Sequence, residues 1–216
     1  MMWYIMETIQ NPVYIITRKL VSPNAEMAID YPAVVGMPDQ MVQHNINARI
    51  FHTVNSLINE QTKRLVDQGY KDITRITVQG WYEIKTNERG ILSLSLGNYT
   101  FPYPAAHGLT IIRSLTFNIQ NGSTYQLKDL FKLGSSYVKV LSAIIAKQIK
   151  EREIPVISEF KRIKPDQDYY IADKALVVYF QLYDLAPYAY GFPQFPISVY
   201  EIQNIIREDG PLGRMI

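Results

Sequence analysis

The 216-residue chain contains no cysteine. That excludes disulfides, thiolate metal centres and thiol nucleophiles, and it leaves the compartment open. Histidine is scarce: His44, His52 and His107 are the only three. His44 and His52 lie on one helical pattern but about 80° apart around its axis, too oblique for a two-histidine metal face. H-E-x-x-H, G-x-S-x-G, the P-loop and G-x-G-x-x-G are all missing, so neither a metal nor a nucleotide cofactor is expected. Charge of one sign is not in excess. The 22 basic and 20 acidic residues leave a net +2, and no long run of like charges supplies the clustered basic footprint that nucleic acid requires. Apolar runs are short. ALVVYF at 175–180 is among the longest, far from the roughly 18 residues of a membrane span. The opening MMWYIMETIQ has no basic region and is interrupted by Glu7, so no signal peptide is expected within it.

What is present is a globular composition, 47% hydrophobic and 19% charged, with enough length for a sizeable core. Alternation over Val13–Val21 and again from Met27 to Val35 predicts two strands, with Ser22, Pro23 and Asn24 turning the chain between them. Val42, Ile46, Ile50, Val54, Leu57, Ile58 and Leu65 form one apolar helical stripe between about Asp39 and Asp67, with Asp39 as N-cap and Gly69 as stop. Strands follow around Ile76–Ile84, Leu92–Leu96 and Leu109–Ile119. The first two are joined by a hairpin loop ending in Gly90. Arg113 interrupts the apolar face of the third, as expected of an edge or a snorkelling side chain. A short turn at 127–131 precedes a helix over about Ser136–Arg152, with Ser135 or Ser136 as cap. A hairpin turning at Ala172–Lys174 comes next, and Val199, Ile202, Ile205 and Ile206 suggest a last helix. Short connections and the absence of a glycine-rich strand-to-helix loop point to an α+β fold: antiparallel sheets with helices packed on one side, in the order ββαββ-βα-ββα. The expected division is an N-terminal half over 1–98 and a C-terminal half over 99–216, packed as one unit.

Tyrosine is the strongest bias, with 16 residues against 8 Phe and 2 Trp. Its ring carries a large apolar face and a polar tip, a combination suited to interfaces and sugar platforms. Tyr179, Phe180 and Tyr183 read as strand residues packing on the sheet. Tyr188, Tyr190 and Phe192 flank Pro187 and Gly191, where the chain turns, and either close the core or form a binding surface. His107 reads as a turn residue bonding local backbone, with Gly108 at positive φ. Asp166, Asp168, Asp173 and Asp184 could supply a carboxylate pair for acid/base chemistry if two of them faced one cleft. Asp173 alone reads more simply as a turn residue.

Two ordered stretches carry a resemblance. The first is YPAAHG at 103–108, then a strand, Asn121-Gly122 and LKDLF at 127–131. The second is YYIADKALVVYFQLYDLAPYAYG at 169–191, then FPI at 195–197. Together they resemble the RsiV-like domain family, which includes the extracytoplasmic sensor of an anti-sigma factor and a module attached to a PdaC-type peptidoglycan deacetylase. The preceding strands and long helix are similar to the smaller domain that usually comes before it. Pro104 and Ala105 stand where the family usually has two glycines. The resemblance implies a non-enzymatic binding or sensing module at the cell envelope, whose partner is a lysozyme-like protein or peptidoglycan. The candidate contact residues are Tyr103, His107, Tyr188, Tyr190 and Phe192. The rival readings are a cell-wall hydrolase using carboxylates and a structural or oligomerising domain.

Overall fold

The computed structural model describes residues 12–22, 26–70 and 76–216; the opening segment and the turn after Ser22 lie outside them. Strands β1 (Tyr14–Ser22) and β2 (Glu26–Val35) lead into helix α1 (Gln40–Asp67). The Asp39 carboxylate accepts from the backbone N–H groups of Met41 and Val42, and Gly69 leaves the helix at φ +88°. Both terminal signals of the sequence therefore operate as expected. Strands β3 (Ile76–Glu88), β4 (Ile91–Pro102) and β5 (Leu109–Asn118) complete a five-stranded sheet in the order β1-β2-β3-β4-β5. Arg89 and Gly90, both at positive φ, make the tight β3–β4 turn. Every pairing is antiparallel except β2 with β3, which is parallel because α1 carries the chain back across the sheet.

The second part opens with a 3-10 turn at Leu127–Leu130 and helix α2 (Tyr137–Glu151). Ser136 occupies the N-cap position, but its hydroxyl makes no capping bond. Strands β6 (Tyr169–Ala172), β7 (Ala175–Tyr179) and β8 (Gln194–Ser198) form an antiparallel three-stranded sheet. The fold is α+β as read, but its end differs. No helix forms over 199–206. The aromatic segment returns as β8, and the chain then closes in turns, with Ile205 and Ile206 both bonding back to the Ile202 carbonyl and Ile206 bridging to Phe131. The apolar spacing was real, since Val199, Ile202 and Ile206 are all buried, but it fills a core from a coil of turns.

There are two main cores. One lies between α1 and the large sheet and holds Ile46, Ile50, Leu57, Leu92, Leu94, Leu96 and Phe117; the other lies around α2 and the small sheet and holds Leu141, Ile145, Ile171, Val178, Phe195 and Ile202. They meet across β4, whose residues from Ile91 to Asn98 are all buried. Its leucines face α1. Ser93 takes the opposite direction: its Oγ accepts from the Ile171 N–H of β6 at 3.0 Å and pairs with the Thr116 hydroxyl. Thr86 Oγ1 donates to the Ile171 carbonyl and accepts from the Asp173 N–H. The large sheet thus binds the edge of the small one through hydroxyls. Ser93→Ala should leave the Ile171 N–H buried and unpaired, at a cost of about 1–3 kcal/mol. Urea unfolding, read as a shift of midpoint at constant slope, measures that loss.

Candidate functional site

The aromatic segment rises from the end of β7. Tyr179 and Phe180 are buried, as expected of a packed strand. Tyr179 donates to or accepts from the Ser114 hydroxyl at 2.9 Å, and burial pushes its phenol well above the usual range. Tyr183 departs from the expectation. The strand stops at Tyr179, and Tyr183 is 50% exposed at φ +68°. A tyrosine in the left-handed region carries strain of about 1–2 kcal/mol, so the surrounding turn dictates where this ring points.

Three rings meet there. Tyr183 lies 5.6 Å from Tyr188, and Tyr188 lies 4.6 Å from His107 on the loop between β4 and β5. The Gly108 carbonyl fixes the row, accepting from Tyr188 Oη at 3.2 Å and lying 3.0 Å from His107 Nδ1. Gly108 is required here for a different reason from the one read in the sequence. Its φ is not positive; a Cβ would instead lie 2.5 Å from the Tyr99 ring and 2.6 Å from the Thr100 carbonyl. Tyr103, after which the peptide to Pro104 is cis, is 56% exposed on the same loop. Tyr190 is exposed and Phe192 half-buried; the ring contacts of the row are those of Tyr183, Tyr188 and His107. Sequence reasoning missed Tyr183 because its aromatic neighbours at 179 and 180 continue a strand pattern.

Beside this row runs a polar cleft of about 500 Å³ between α1, β5 and the segments around 166 and 182. Three of the four aspartates singled out from the sequence, Asp166, Asp168 and Asp184, line it, while Asp173 occupies the β6–β7 turn at φ +47°. Arg113 of β5 binds both Glu60 oxygens at 2.9 Å and lies 3.9 Å from Asp168. Lys164 faces Asp184 at 4.0 Å. Gln181 joins the cleft to the sheet: its side-chain amide accepts from the Ile112 N–H, and donates to the Ile112 carbonyl and to Asp168 Oδ2, both at 2.7 Å. His44 and His52 are exposed on α1. Among the described residues, no three His, Asp or Glu side chains converge as a metal site.

Burial holds the Asp168 carboxyl above the usual carboxylate range, against the opposing pull of Gln181 and Arg113. A carboxyl raised in the folded state favours folding when protonated. That contribution is present below the ordinary aspartate range and is lost as pH rises through the raised value. Asp168→Asn keeps an acceptor for Gln181 without the charge. Its Tm should therefore exceed that of the parent at about pH 7 and converge with it toward about pH 4, which thermal melts across that window measure.

Two family profiles match consecutive parts of the chain: deacetylase PdaC over residues 19–110, and a protein of unknown function, DUF3298, over residues 128–200. The chain is 29% identical over 189 residues to the anti-sigma-V factor RsiV of Bacillus subtilis, an alignment covering 81% of this chain and 63% of that protein. The fold matches crystal structures of DUF3298 family members from Bacteroides fragilis (TM-score 0.70, 12% identity, 95% of this chain and 98% of that one) and Pseudomonas aeruginosa (TM-score 0.68, 13% identity, 92% and 96%). A PdaC-type part, a DUF3298 part and the fold that unites them together support the resemblance to an RsiV-like domain.

Proposed function

We propose that this chain is an extracytoplasmic sensing module that binds a folded, lysozyme-like protein through the ring row of Tyr183, Tyr188 and His107, flanked by Tyr103, Tyr190 and Phe192. One observation carries the reading: a row of rings, with Tyr183 and His107 exposed and Tyr188 half-buried, is held in fixed positions by a shared carbonyl and a left-handed backbone. Exposed rings usually cost solubility, and rings fixed before binding lose little entropy on contact. Such residues dominate the energetics of protein interfaces. The similarity to an anti-sigma factor supports a sensing role, and the family resemblance suggests the partner. The two sheets act as one unit in this reading, because the row joins a loop of the first sheet to a turn beyond β7 of the second.

The hydrolase reading draws on the three aspartates of the polar cleft. It has less support, since Asp168 is held by Gln181 and Arg113, and Asp184 faces Lys164. No catalytic residue is assigned.

The test is calorimetric titration of the chain with a c-type lysozyme, alongside sedimentation with insoluble peptidoglycan. Saturable lysozyme binding is expected. Tyr188→Ala should weaken it at least tenfold, about 1.4 kcal/mol. Tyr183→Gly removes a ring while relieving the backbone strain, so it should weaken binding with stability unchanged or raised. Peptidoglycan binding without lysozyme binding would reassign the rings to glycan. Binding to neither would remove the proposal.

A further inference from the structure

We infer that the polar cleft beside the ring row is a binding site for a small zwitterion, an amino acid or short peptide with a free ammonium and a free carboxylate. The inference is independent of the lysozyme reading, because none of the three ring-row residues lines this cleft.

At about 500 Å³ the cleft falls within the range of small-molecule sites. Its chemistry is mixed. Glu60, Asp166, Asp168 and Asp184 face Arg64, Arg113 and Lys164, with Leu109, Ile111 and Leu182 as the apolar part of the lining. Most of these charges are already engaged: Arg113 with Glu60, Lys164 with Asp184. Two are not. Among the described residues, neither the half-buried guanidinium of Arg64 nor the carboxylate of Asp166 has an ion-pair partner. Asp168, two residues beyond Asp166, is 30% exposed at its side chain; it accepts from Gln181, and its ion-pair contact with Arg113 is long, at 3.9 Å.

An unpaired guanidinium selects a planar anion such as a carboxylate, which its donor fork can engage at two points. The exposed Asp166 carboxylate on the same cleft, with Asp168 beside it, selects a cation. A ligand carrying both charges satisfies all three groups at once, whereas a simple anion or a simple cation leaves one side uncompensated. Leu109, Ile111 and Leu182 in the lining suit a small aliphatic side chain.

The probes are the dipeptide alanyl-alanine, in LL and DD forms, and the same dipeptide acetylated at its N-terminus and amidated at its C-terminus. Both are titrated calorimetrically into the full chain up to about 10 mM. At least one free dipeptide should bind saturably while the capped form does not. Arg64→Gln and Asp168→Asn should each weaken that binding about tenfold or more. Melting curves check that both variants fold, and Arg64, only half-buried on α1, serves should the aspartate variant misbehave. Equal binding of capped and free peptides, binding unaltered by Arg64→Gln, or no binding by any probe would each overturn the assignment.

Discussion

The rest of the molecule depends on β4 being buried on both faces. A strand sandwiched between two cores must satisfy opposite demands at alternate residues. Leu92, Leu94 and Leu96 answer one demand by filling the core under α1. Ser93 and Ser95 answer the other by staying small, so that a second sheet can approach closely. Ser93 and Thr86 then supply the hydroxyls that pair with the Ile171 backbone. Larger apolar residues at the serine positions would hold the sheets apart and leave that backbone without partners. Because the seam is made of backbone-directed bonds, the geometry between the two sheets is fixed, and so is everything mounted across it.

Strand edges that no neighbouring strand completes are finished by carboxamides. Asn47 of α1 bonds both the N–H and the carbonyl of Val34, Asn87 does the same for Val13, and Gln181 for Ile112. A primary amide offers a donor and an acceptor at the spacing of a peptide group, so each residue stands in for a short length of missing strand. The device also limits edge-to-edge pairing, which free strand edges invite. Gln181 has the additional task of tying the aromatic turn to β5 of the five-stranded sheet.

Much of this architecture was legible in the sequence. Asp39 and Gly69 bounded the long helix because capping is local chemistry, and alternation located the strands of both hairpins. The errors fall where an assignment needs a distant partner. Val199, Ile202 and Ile206 have helix-like spacing, yet β8 forms just before them and the chain closes in turns against Phe131. Tyr183 continues an aromatic run but sits in a left-handed turn that only the surrounding fold can impose. The parallel pairing of β2 with β3 follows from the path of α1 and has no signature in either strand. The clamps of Asn47, Asn87 and Gln181 are equally silent, since a carboxamide in a sequence does not declare the strand it will complete. The cleft is partly legible: its aspartates were visible as a group, but Glu60, Arg64 and Arg113 come from a helix and a strand far from them in the chain.

The turn at 181–184 is where these features converge. Gln181 grips Ile112, Leu182 lines the polar cleft, Tyr183 begins the ring row, and Asp184 faces Lys164. Successive residues of one turn therefore serve the sheet seam, the cleft and the exposed rings. Asp168 accepts from Gln181 in the cleft, and burial raises its carboxyl. Gln181 thus links a wall of the cleft and the turn of the ring row to one fixed strand through hydrogen bonds.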